Sequence, residues 1–190
     1  STGGTITLTA SDESLIVSIA GGVSVAANGK AVGAAVSYNL ISNQIKAFIE
    51  DAVVTAAGST SDILITASSG SILVSIAVGG AFAGDFALGG SLTVNSIANT
   101  LDAHIKNSTL VQAGRHVNLV AVERDTLVTV AGGFAGSSHS SAVGAALAYN
   151  YIGGSLDPGN PDVINRDSTA VDQITAYIDN AYVVAGGDIL

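Results

Sequence analysis

The same stretch is written three times along this chain. Residues 14–39 read SLIVSIAGGVSVAANGKAVGAAVSYN, residues 71–95 read SILVSIAVGGAFAGDFALGGSLTVN, and residues 125–150 read DTLVTVAGGFAGSSHSSAVGAALAYN. Self-similarity at a long period constrains the fold more than any local propensity, because one unit cannot bury its apolar face alone and must stack on its neighbours. A short strand-like element keeps the count: Ile6, Ile63, Val117 and Ile189 open it, 57, 54 and 72 residues apart. The chain therefore divides into repeats 5–61, 62–115 and 116–187, with 188–190 beginning a fourth and an insertion at 153–172 lengthening the third.

Within each unit the apolar pattern has period two. Val17 and Ile19 flank Ser18, Val74 and Ile76 flank Ser75, and Val128 and Val130 flank Thr129, which is the signature of a half-buried strand. A glycine pair follows each time (Gly21 and Gly22, Gly79 and Gly80, Gly132 and Gly133), where a turn or a close backbone approach is expected. A further strand is expected to end at Asn39, Asn95 and Asn150, 56 and 55 residues apart. An asparagine amide can bond an identical amide one repeat away, so these three read either as a stacked ladder or as residues that close each strand in a turn. In the last element, Ala47 with Ile49, Ala103 with Ile105, and Ala176 with Ile178 share one face, while Phe48, His104 and Tyr177 share the other. Repeats in register stack those three rings in a column, either an exposed adhesive stripe or a ladder that supports the coil.

These signs favour an all-β fold, a parallel β-solenoid of about three repeats of roughly 55 residues. A repeat of that length suits two or three coils, with Ala, Gly and Ser at narrow positions and Val, Ile and Leu at wide ones. The chain begins and stops within the same element, which reads as a segment of a longer array whose uncapped ends could associate end to end. The competing reading is a helical hairpin over 20–35, because Ala favours helix while Gly opposes it. Two uncharged runs, 63–84 and 126–156, are long enough for a membrane helix, but glycine pairs and alternating Ser or Thr break them, and no membrane insertion is expected.

Fifteen acidic residues against six basic ones give a formal charge of -9, which repels nucleic acid and disfavours it as a partner. The chain has no Cys, so neither a disulfide framework nor a thiolate metal site is available. The carboxylate neighbours that could serve a glycan-cleaving β-helix are Glu50 with Asp51, Asp12 with Glu13, and Glu123 with Asp125. None recurs at an equivalent repeat position or has a nearby histidine, so no catalytic residue is assigned and no enzyme is expected. His104, His116 and His139 lie in three different elements and do not have zinc-motif spacing. Residues 137–141, rich in serine around His139, form a polar turn without the elbow of a serine hydrolase. The insertion, with its Asp-Pro-Gly-Asn-Pro-Asp core, reads as a surface loop. Asp157, Asn160, Asp162 and Asp167 there are candidate oxygen ligands for calcium, with solvated turn carboxylates as the plain alternative; no other cofactor is expected.

The recurring G-A-A-V/L-x-x-N at 33–39 and 144–150, the A-x-I at Ala47, Ala103 and Ala176, and the A-G that precedes a D-I-x-I-type strand resemble the repeats of leukotoxin-like filamentous adhesins. These are large bacterial proteins of the type V, two-partner-secreted kind. The resemblance covers the chain apart from the insertion. It implies an extracellular or bacterial cell-surface location and a rigid stalk or fibre that attaches to a host-cell, bacterial or matrix receptor. It carries over no catalytic residues. The alternatives are a carrier segment of a secreted cytolysin or effector, and a glycan-active β-helix.

Overall fold

The structure, a computed structural model, describes residues 3–153, 155–157, 160–165 and 173–190, and of 155–157 and 160–165 the backbone alone. It is a parallel β-solenoid of about three coils, and no helix forms among the described residues. The first coil consists of β1 (Ile6–Asp12), β2 (Leu15–Ala26), β3 (Lys30–Ile41), β4 (Gln44–Glu50) and β5 (Val53–Ala56). The second repeats the order as β6 (Ile63–Ser69), β7 (Ile72–Ala83), β8 (Phe86–Ile97), β9 (Thr100–Lys106) and β10 (Leu110–Ala113). The third runs β11 (Val117–Glu123), β12 (Thr126–Ser137) and β13 (Ser141–Ile152). It then inserts β14 (Ser155–Asp157) and β15 (Asn160–Asn165), and resumes with β16 (Gln173–Asp179) and β17 (Val183–Ala185). Each coil strand pairs in parallel with its equivalent, giving the sheets β1-β6-β11, β2-β7-β12, β3-β8-β13, β4-β9-β16 and β5-β10-β17. Where a surface loop is expected in the insertion, β14 and β15 pair as an antiparallel hairpin.

Ile6 pairs with Ile63, and Ile63 with Val117, so one repeat makes one coil, where two or three were expected. The length is taken up by the 12-residue strands β2 and β3 and their counterparts. These leave the body of the coil, turn at 27–29, and return, so that the two long sheets lie face to face as a flat fin. Gly29 makes that turn with a φ of 84°, which glycine reaches without steric cost. β2 and β3 do not hydrogen-bond to each other as a hairpin. Each pairs along the axis with β7 and β8 instead.

Two kinds of interior result. In the body, sheets β1-β6-β11, β4-β9-β16 and β5-β10-β17 wrap an aliphatic core that includes Ile45, Ile49, Ile63, Ile65, Leu101, Ile105 and Val111. Here the large residues do fill the inside. In the fin the alternation is inverted: Ser18, Ala20, Gly22, Ser24 and Ala26 of β2 face inward, and Val17, Ile19, Val23 and Val25 face out. The glycine pairs explain the inversion. They lie in the middle of β2, β7 and β12, not at turns, and a Cβ on Gly22, Gly79 or Gly133 would collide with the carbonyl of Ala34, Gly90 or Ala145 on the facing sheet. Stacked sheets ordinarily lie about 10 Å apart. Here they close to backbone contact, which leaves no interior room for Val or Ile. Near the tip the seam widens only enough for Ala31, Ala81, Ala83 and Ala87; at the base Ile41, Leu73 and Ile97 plug it.

Candidate functional site: ladders along the coil axis

Because equivalent residues stand one strand spacing apart, any side chain that recurs becomes a column. Three columns organise this molecule. The first lies inside the fin. Asn39 Nδ2 donates to Asn95 Oδ1 at 2.7 Å, and Asn95 Nδ2 donates to Asn150 Oδ1 at 3.0 Å. The Thr129 hydroxyl accepts from Asn95 at 2.8 Å and donates to Asn150 at 2.7 Å. Ser37 accepts from Asn39 at 2.9 Å and from Ser75 at 3.1 Å. The three asparagines lie two residues before the ends of β3, β8 and β13, not at the ends. Inward-facing polar groups in a narrow seam require partners; stacking supplies them to the asparagines, whereas Ser91 Oγ and Thr93 Oγ1 on the same face of β8 are buried without one.

The second column is at the fin base, and sequence reasoning did not find it. Asn99 Oδ1 accepts from the backbone N–H of Asn43 at 2.9 Å, and its Nδ2 donates to Asp125 Oδ2 at 2.7 Å. Asp12 accepts from Asn43 Nδ2 at 2.8 Å, from Ser71 Oγ at 3.2 Å, and from the amide and hydroxyl of Ser14. Burial raises the Asp12 carboxyl, but these four donors outweigh it and hold the group below its ordinary value. The missed signal was register. Asp12 and Glu123 both lie opposite Ser69, so these two carboxylates do share a repeat position, contrary to expectation.

The third column is on the outer face of β4, β9 and β16. Phe48 and His104 stack at 5.1 Å and 6°, and His104 and Tyr177 at 5.0 Å and 10°. Phe48 and Tyr177 are 45% and 36% exposed, whereas His104 between them is buried. His104 Nδ1 bonds Asp102 Oδ1 at 3.0 Å. Its Nε2 lies 3.6 Å from Glu50 Oε1 and has no hydrogen-bond partner.

Several other polar groups serve turns. Asp62 receives Nε and Nη2 of Arg115 and the backbone N–H of His116. The guanidinium hydrogen bond lowers its pKa to about 2. Asp51, Asn107 and Asn180 end β4, β9 and β16 at φ of 48°, 48° and 45°, the left-handed region that Asp and Asn tolerate. Asn180 Nδ2 also donates to Asn107 Oδ1 at 2.9 Å. His116 Nδ1 accepts the Asp188 amide at 2.9 Å, and His139 lies at the fin tip against the Gly84 carbonyl. Among the described residues no group of three or more His, Asp or Glu is placed to hold a metal ion. Of the calcium candidates, Asp167 lies outside the described residues, as do the side chains of Asp157, Asn160 and Asp162.

The chain matches no family model, no curated protein and no solved structure.

Proposed function

We propose that this chain is a structural and adhesive segment of a large bacterial surface or secreted filamentous protein, working as a rigid stalk or fibre in cell or matrix attachment. The observation that supports the reading most is the coil register. Equivalent strands pair residue for residue, from Leu15 with Ile72 to Ala26 with Ala83, and again from Ile72 with Thr126 to Ala83 with Ser137. Identical coils on one axis extend a structure without enclosing a pocket, and they present each surface feature again at a spacing of about 4.8 Å. Such repetition suits multivalent contact, in which weak individual contacts sum to strong attachment. The net charge of -9 repels nucleic acid, and the partner in this reading is a cell-surface or matrix receptor. The location that follows is extracellular.

Beads carrying the chain at graded densities test this. Retention on epithelial cells, bacteria or matrix-coated glass is expected to rise steeply with density, above beads carrying an unrelated protein of similar charge. Retention equal to that control on all three surfaces overturns the adhesive role.

A further inference from the structure

We infer that the outer face of the β2-β7-β12 sheet docks on the same face of a second copy of this chain, fin against fin. On β2, Leu15, Val17, Ile19, Val23 and Val25 point outward, each between 60% and 75% exposed. Neither β2, β7 nor β12 contains a charged residue. The face is also levelled. Phe134 lies over Gly80 and Phe82 over Gly136, and the two rings touch at a centroid distance of 5.8 Å, so each aromatic fills the notch its glycine neighbour leaves.

Two arguments select a second copy as the occupant. The first is area: twelve residues by three strands span about 40 Å by about 14 Å, or about 550 Å². That is at the upper end for the largest apolar patch on a monomer. Two such faces together bury about 1,100 Å², above the roughly 1,000 Å² that a specific interface clears.

The second is that the two faces of the fin differ. The β3-β8-β13 face also exposes Val32, Val36, Leu88, Val143 and Leu147, but it carries Lys30, Tyr38 and Tyr149 among them and is indented by a shallow strip of Ala34, Gly90 and Ala145. The level, uncharged face is the one that a flat second copy covers without a gap. The inference stands on this face alone and does not depend on the adhesive reading.

Sedimentation velocity of the full chain from about 1 to 100 µM tests it, with flotation on phosphatidylcholine/phosphatidylglycerol vesicles alongside. A monomer–dimer equilibrium is expected. The double variant Ile19→Lys/Val130→Lys should weaken it at least about 100-fold by placing charges in a dry interface. Val36→Lys/Leu147→Lys, on the opposite face, should leave it unchanged. Should the lysine pair fail to fold, Ile19→Ser/Val130→Ser is expected to weaken dimerisation in the same direction. The inference is overturned by a monomer throughout, by open-ended fibres that neither pair affects, by loss of the dimer in the opposite-face variant alone, or by flotation with vesicles in place of a dimer.

Discussion

The imidazole of His104 lies flat between the rings of Phe48 and Tyr177, 5.1 Å and 5.0 Å from their centroids, while its Nε2 is buried without a hydrogen-bond partner. Stacking and satisfaction of polar atoms therefore conflict at one residue. His104→Ala should cost about 2–3 kcal/mol through the lost ring contacts and the gap they leave. His104→Phe keeps the stack and removes the orphaned nitrogen, so its stability should lie within about 1 kcal/mol of the parent or above it. Urea unfolding of the two variants checks the order. A phenylalanine variant as weak as the alanine one would show that the bond to Asp102 matters more than the stack.

Asn95 has amide partners on both sides, Asn39 below and Asn150 above. Asn95→Ala removes a fully buried amide and its bonds to both neighbouring coils, although Asn39 keeps Ser37 and Asn150 keeps Thr129, and is expected to destabilise by about 1–3 kcal/mol. Asn39, at the end of the column and half-buried, should cost less, about 1 kcal/mol. Equal losses in denaturant midpoints at constant slope would sink the view that the column acts as a connected ladder.

The two members of one glycine pair should behave oppositely. A Cβ on Gly21 points outward, with only the Val78 carbonyl at 3.9 Å, whereas one on Gly22 collides with the Ala34 backbone. Gly21→Ala is thus expected to be neutral or stabilising by up to about 0.5 kcal/mol, since it restricts the unfolded chain. Gly22→Ala should force the sheets apart and cost about 3 kcal/mol or more. Thermal unfolding of the pair is decisive, because tolerance of both would mean that the seam is looser than backbone contact.

Arg115 holds Asp62 at about 2, below the ordinary unfolded value of about 3.9. A carboxyl depressed in the folded state contributes stability that is fully present above the unfolded value and is lost as pH falls toward the folded one. The chain should therefore lose stability between about pH 4 and pH 2, and Asp62→Asn should flatten part of that loss. Asp12, also held low, supplies a further part in the same direction. A thermal midpoint whose slope over this window is the same in parent and Asp62→Asn would remove the pair from the account.

Period two and the long repeat were legible in the residues because both are local in sequence. Ile6, Ile63 and Val117 pair as the spacing implies, and Phe48, His104 and Tyr177 share the outer face that alternation from Ala47 and Ile49 assigns them. The number of coils per repeat was not legible, since a period counts residues and says nothing of how far the chain travels before it returns. Nor was the base column legible: Asp12 ends β1, whereas Asn43, Asn99 and Asp125 lie between strands, and the four meet only once the coil closes.

Alternation by itself determined that one side of each long strand is aliphatic and the other is small or polar. It was silent on which side is inside. Burial of the aliphatic side is the ordinary outcome, and the body follows it with Ile63, Ile65 and Leu101 fully enclosed. In the middle of the fin, backbone contact at Gly22, Gly79 and Gly133 sets a gap that admits Ser, Ala, Gly, Thr and Asn, and Val17, Ile19, Val23 and Val25 are turned outward, while Ile41, Leu73 and Ile97 fit inside at the base. That choice depends on the distance between two sheets, a quantity that exists only in the assembled coil.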